Sequence, residues 1–245
     1  MKYFFLSCTL FLSSLLVAQN SGRIIYEDKT DLHRNIPLER SAMKDMIPEF
    51  NISKWELLYS GDISLYQRVK ESDLAATNTS QGGMQMRMNR ENRIVYKDLS
   101  EEEIIDSRDF MQKQFLIKGF TATRKWKIGS KQKQILGYQC LEASCRPDTS
   151  TTITAWFAPQ LTVQNGPVDY QGLPGMIMQI DINNNERTIT ATEIKLEKID
   201  PVLFVAPTKG KEISGEEFEK LRQEKLKEMQ SQPGYQGPTM MTRRN

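Results

Sequence analysis

Three methionines at alternate positions, Met84, Met86 and Met88, would set three thioethers on one face of a strand, and soft sulfur suits Cu(I). No histidine stands near them and Arg87 and Arg90 adjoin, so methionines filling an irregular apolar surface is the competing account. Cys140 and Cys145 are the only cysteines downstream of the leader. On a single extended strand, residues five apart point to opposite faces and lie roughly 16 Å from each other at about 3.3 Å per residue, beyond disulfide reach. A bridge would need a turn over 141–144, whereas Arg146-Pro147-Asp148-Thr149 has the better turn chemistry, so the pair reads as two unbridged thiols. His33, the one histidine, stands near Asp31 but near no nucleophile motif, and reads as solvent-exposed. The run Glu101-Glu102-Glu103 reads as a solvated face. No catalytic residue and no cofactor is assigned, and the methionines are the only weak metal candidates.

Binding chemistry has a better address in Tyr170–Asp181, Y-Q-G-L-P-G-M-I-M-Q-I-D. Pro174 fixes its own φ and Gly175 accepts a positive φ, so with Gly172 they form a rigid structural turn, expected as type II with Pro174 and Gly175 central. Such a corner either serves the sheet alone or presents Tyr170, Leu173 and Pro174 to a partner. Trp156 and Phe157 are adjacent on an expected strand and so face opposite ways; one is core and the other is free to line a cleft.

The elements that must position these residues follow from pattern. Met1–Ala18 has a basic head, an apolar run and a small residue at its end, and is expected to be a cleaved export signal. Residues 19–232 are expected to form one β-rich domain, and 233–245 a flexible tail. The charges, 33 basic against 31 acidic, nearly cancel and are interspersed, which removes the electrostatic footprint of a nucleic-acid binder. A single histidine excludes multi-histidine metal sites. Short strands recur at 24–26, 55–59, 63–69, 93–97, 110–120, 126–128, 134–146, 151–157, 175–182 and 187–199, with hairpins at Ser60-Gly61-Asp62 and Asn183-Asn184-Asn185. Ser214 and Glu217 form a capping box ahead of a helix over 216–230, with Phe218, Leu221 and Met229 on one side. The expected fold is mainly β: a curved antiparallel sheet or partly open barrel with a C-terminal helix.

Several motifs in order, Trp126-Lys127-Ile128, Ile135–Cys140, Ala155–Pro159, Asn165-Gly166-Pro167 and Gly172–Ile177 (G-L-P-G-M-I), together with the export signal, resemble the GLPGLI family of exported proteins of Gram-negative envelopes. Met176 replaces the second leucine of the name-giving motif, and Val168 stands where an aromatic is expected. The resemblance implies a curved antiparallel sheet and, from genes often found beside those of TonB-dependent receptors, an accessory role at the outer membrane. It carries no catalytic residues. The functional expectation is a non-enzymatic periplasmic or outer-membrane-associated module binding a partner protein, such as a TonB-dependent receptor, or an apolar ligand. The mature chain is expected to carry no transmembrane segment. An envelope hydrolase using carboxylates is the alternative, because carboxylate pairs assembled by folding leave no sequence signature.

Overall fold

The computed structural model describes residues 20–34, 36–69, 92–120 and 124–231. The expected leader, the Met84–Met88 trio and the expected tail lie outside these residues. Twelve strands follow in order: β1 (Ser21–Asp31), β2 (Phe50–Ser60), β3 (Ile63–Arg68), β4 (Arg93–Asp98), β5 (Glu103–Phe110), β6 (Lys113–Phe120), β7 (Lys127–Ile135), β8 (Tyr138–Cys145), β9 (Ile153–Ala158), β10 (Met176–Ile182), β11 (Arg187–Lys195) and β12 (Lys211–Ser214). One α-helix, α1 (Gly215–Ser231), closes the described chain. The strands make one open sheet in the order β12-β6-β5-β4-β3-β2-β1-β11-β10-β9-β8-β7. All pairs are antiparallel except β12 with β6. The fold is mainly β, as expected.

Two expected strands are in fact hairpins. The run read as 110–120 belongs to β5 and β6, which turn at Met111 and Gln112 with φ of 48° and 62°. The run read as 134–146 is split by Leu136-Gly137, φ 50° and 83°, into the end of β7 and the whole of β8. Paired positive φ values are the signature of a tight turn matched to strand twist, and neither Met-Gln nor Leu-Gly is its usual dipeptide. The Asn183–Asn185 turn has the left-handed φ expected of asparagine, 51°, 53° and 67°. Strand β1 is longer than its apolar letters indicate, because Tyr26, Asp28 and Thr30 continue its ladder with β2 and β11.

The sheet bends around its own connecting loop. Residues 159–175, between β9 and β10, carry Leu161, Val168, Tyr170 and Leu173 into a core shared with Ile24, Tyr26, Leu57, Tyr66, Val95, Ala155, Phe157 and Ile180. Buried polar contacts pin the loop in place: Lys97 Nζ donates to Gly166 O at 2.8 Å and Trp126 Nε1 to Gln171 O at 2.9 Å. Across the fold, Tyr26 Oη donates to Ile177 O at 2.7 Å. The concave face is therefore occupied by the chain itself. Helix α1 lies against the β6 side, where Phe218 meets Phe110 and Phe115 edge-on at 5.6 and 5.5 Å.

Candidate functional site

The corner at Leu173-Pro174-Gly175 is chiefly architectural. Leu173 is only 1% exposed, Tyr170 and Phe157 are buried, Trp156 is half-buried, and Pro174 alone of the proposed contacts is open to solvent. Leu173 and Tyr170 thus face the core and are not displayed to a partner. The expected type II turn is also corrected: Gly175 N bonds Leu173 O at 2.7 Å, a three-residue turn about Pro174, while Met176 N goes to Leu161 O at 2.9 Å. Gly175 has the positive φ expected, 144°, and a second reason to be glycine. A Cβ there would lie 2.3 Å from the backbone oxygen of Ala158. Lys133 Nζ stands 4.2 Å from the ring centre of Trp156, so that ring already has a cation on it.

A different group of residues converges on one end of the concave face. Register places Trp55 opposite Arg68, Arg93 opposite Arg108, and Arg108 opposite Phe115. Arg68 and Arg93 stand one position beyond the Gln67–Ile94 pair, so three arginines occupy neighbouring strands in one row. Directly opposed residues share a face, and like charges so placed repel. Alternation puts this row on the face of Tyr66 and Val95, which are core. Arg187 joins from β11 and Arg124 from the stretch before β7.

Among the described residues, three aspartates answer these five arginines. Asp28 takes Arg187 Nε and Nη2 at 2.9 and 2.6 Å. Asp106 takes Arg93 Nε and Nη2 at 3.0 and 2.6 Å and is shared with Arg108. Asp169 takes Arg124 Nη2 at 2.6 Å, and Arg124 lies over the Tyr170 ring at 4.5 Å. Arg68 has the Trp55 ring at 5.9 Å, and Trp55 stacks on Tyr66 with centroids 5.3 Å apart and planes 6° from parallel. Burial raises the carboxyl pKa of Asp106, but hydrogen bonds and charge from Arg93 and Arg108 reverse this and hold it below the usual range. The same contest at Asp169 is won by Arg124. Tyr66 is pushed upward, first by burial and then by Asp28, with Arg187 and Arg93 opposing. Among the described residues, Tyr66 Oη is buried with no hydrogen-bond partner, as is Arg108 Nε.

This chemistry suits anion binding better than hydrolysis. A carboxylate hydrolase needs one carboxyl kept protonated near neutral pH. The buried carboxylates Asp28 and Asp106 are instead bonded to arginine, as is Glu56, which pairs with Arg23 at 2.9 Å. Cys140 and Cys145 are free and buried on β8; burial pushes Cys140 up to about 11 and raises Cys145, so neither is a nucleophile near neutrality. His33 Nε2 lies 3.0 Å from Ile47 O, a structural contact. Among the described residues no cluster of His, Cys, Asp or Glu is fit to hold a metal ion. A polar hollow of about 480 Å³ opens elsewhere, between Asn20, Asp62, Glu102, Thr162 and Gln171, with no cation in its lining.

Sequence reasoning did not single out Arg68, Arg93, Arg108, Arg187 or Tyr66. Their signal was charge in phase with the apolar alternation: Tyr66-x-Arg68, Arg93-x-Val95 and Asp106-x-Arg108 each put charge on the core face of a strand. Only the register between strands shows that these phases coincide.

Two structures of PNGF-II, in the P21 and C2 space groups, are similar in fold, with TM-scores of 0.55 at 15% and 16% identity. Each alignment covers 82% of this chain and 33% or 32% of the PNGF-II chain, so this chain spans about a third of the length of those proteins. No curated protein sequence matches it. The family model described as N-glycanase peptide, N-terminal domain, matches residues 63–215, more than half of the chain, and the chain belongs to that family.

Proposed function

We propose that the chain is a non-catalytic binding module of the cell envelope and that its binding surface is the arginine-lined end of the concave face. The observation that carries this is the state of the acids. Arginine holds the Asp106 and Asp169 carboxyls below the usual range and Asp28 is bonded to Arg187, while among the described residues five guanidinium groups gather with three carboxylates. A site built so attracts an anionic group and has no acid to give to a leaving group. The loop over 159–175 fills the space an apolar ligand would take, which favours a polar partner. Membership of a family named for the N-terminal domain of an N-glycanase supports an accessory role beside a larger assembly. The GLPGLI resemblance and the leader support export, with an outer-membrane protein such as a TonB-dependent receptor as the partner. No helix among the described residues is long and apolar enough to cross a membrane.

The test sets catalysis against binding in one preparation. The purified chain is incubated with an N-glycopeptide, and a tagged copy is recovered from native envelopes beside an Arg68→Glu variant. The expected result is no release of glycan and near-stoichiometric recovery of one outer-membrane protein, lost in the variant. Glycan release that disappears in Asp28→Asn would contradict the reading.

A further inference from the structure

We propose that the polar hollow at the opposite end of β1 and β3 from the arginines binds an organic cation, a guanidinium or ammonium group carried on a short chain. The two places are distinct. Asp62 stands just before β3 and Arg68 closes it, while Asn20 precedes β1 and Asp28 lies towards its far end. Three segments meet at the hollow. Gly61 N donates to Asn20 O at 2.7 Å and Leu99 N to Asp62 O at 2.9 Å, which joins the start of β1 to the β2–β3 and β4–β5 turns. Gly172 N donates to Gln164 O at 3.3 Å, which brings the loop over 159–175 in as the remaining wall. The space between them is about 480 Å³, within the range of small-molecule sites. A Cβ at Gly61 or Gly172 would meet nothing within 4 Å, so neither turn fills it.

The wall is built of acceptors. Asp62 and Glu102 stand at its exposed rim, and among the described residues neither carboxylate has an ion pair or a hydrogen bond. No lysine, arginine or histidine among the described residues lines it, and the nearby Lys97 directs its ammonium inward to Gly166 O. Thr162 Oγ1 donates its one proton to Asn20 Oδ1 at 3.1 Å and is left as an acceptor. Deeper in, Leu99 and Val163 are half-buried and Gln171 is 6% exposed. Gln171 points to a ligand independently of the acidic rim. Its Oε1 is buried with no hydrogen-bond partner among the described residues, a costly state that a donor entering the hollow relieves. Its Nε2 makes no bond among them either, so the amide can turn about its last torsion and offer the oxygen to that donor. An ammonium has three donors and a guanidinium five, neither has an acceptor, and both match such a wall. A neutral sugar would leave both rim charges unanswered. Calcium takes about six to eight oxygens, and no cluster among the described residues is fit to hold a metal ion.

The test is calorimetric titration of the full exported chain with N-acetyl-arginine amide and with N-acetyl-citrulline amide, its uncharged isostere, at constant ionic strength. Saturable binding of the arginine probe alone is expected. Asp62→Asn and Glu102→Gln should each weaken it about threefold, the effect of neutralising one exposed carboxylate. Gln171→Leu should weaken it about tenfold, the loss of one hydrogen bond to a charged group, with a urea midpoint no lower than the parent's. The rim variants are exposed and keep the test sharp whatever Gln171→Leu does to folding. Glu216→Gln, on the exposed face of α1, should leave binding unchanged. A Gly-Arg-Gly peptide that binds more tightly than the amide probe would assign the cation to a partner protein; equal affinity would assign it to a small free guanidine or amine. The assignment is overturned if the arginine probe shows no saturable binding, if the citrulline probe binds as well, if parent and variants titrate alike, or if calcium chloride binds and excludes the arginine probe. None of these residues belongs to the arginine-lined end, so loss of cation binding and loss of partner capture through Arg68 are separate results.

Discussion

At the scale of single residues, Gly175 and Lys97 make the most demanding predictions. Gly175→Val forces a branched side chain into a φ of 144° and against Ala158 O, and should destabilise the fold by at least the 1 to 3 kcal/mol typical of such strain, read as a lower urea midpoint. Met176→Leu, next to it and fully buried, should cost less than about 1.5 kcal/mol because volume and polarity are nearly kept. Lys97 is buried with its ammonium on Gly166 O, and burial brings its pKa down to about 7, with Asp169 opposing and Arg124 assisting. The unfolded chain keeps an ordinary lysine, so between about pH 7 and the lysine value it binds more protons than the folded chain. Stability should therefore rise with pH through that window, and below it the penalty is present in full. Urea midpoints measured at about pH 7 and about pH 9 should differ in the parent and converge in Lys97→Met. Gly175 was legible because Pro-Gly chemistry is local. The burial of Leu173 was not, since a turn looks the same from its sequence whether it lies outside a sheet or inside one.

At the scale of elements, α1 has Phe218 as its buried residue among the described side chains. Its capping box forms as read, Glu217 N to Ser214 Oγ at 3.2 Å and Ser214 N to Glu217 Oε2 at 3.0 Å. Ending the chain after Ser214 keeps β12 and removes Phe218 from Phe110, Phe115 and Arg108. The expected cost is about 1.5 to 3 kcal/mol for one buried aromatic, seen in thermal melts. A melt unchanged by the cut would show that the helix does not pack on the sheet. The helix and the hairpins at Gly61 and Asn183–Asn185 were legible because caps and left-handed turns have their own residues. Strand β12 was not: Lys211–Ser214 has little strand character and is placed by its parallel pairing with β6. The turns at Met111-Gln112 and Leu136-Gly137 escaped for the same reason, being set by the flanking ladders and not by turn residues.

At the scale of the whole molecule, the sheet wraps a loop of its own, which fills the apolar interior, and charged groups gather at one end of it. That end was illegible in the sequence because β3, β4, β5 and β11 each contribute one or two of its residues, and only their register joins them. The central claim is that this end is held ready for an anion at a cost to stability, and Tyr66→Phe tests it most directly. Removing a buried hydroxyl that has no partner among the described residues should leave the chain at least as stable as the parent, by up to the 1 to 3 kcal/mol such an orphan costs, when urea unfolding is followed in dilute chloride without sulfate or phosphate. A loss of more than about 1 kcal/mol would mean that the hydroxyl already serves the fold, and would contradict the account.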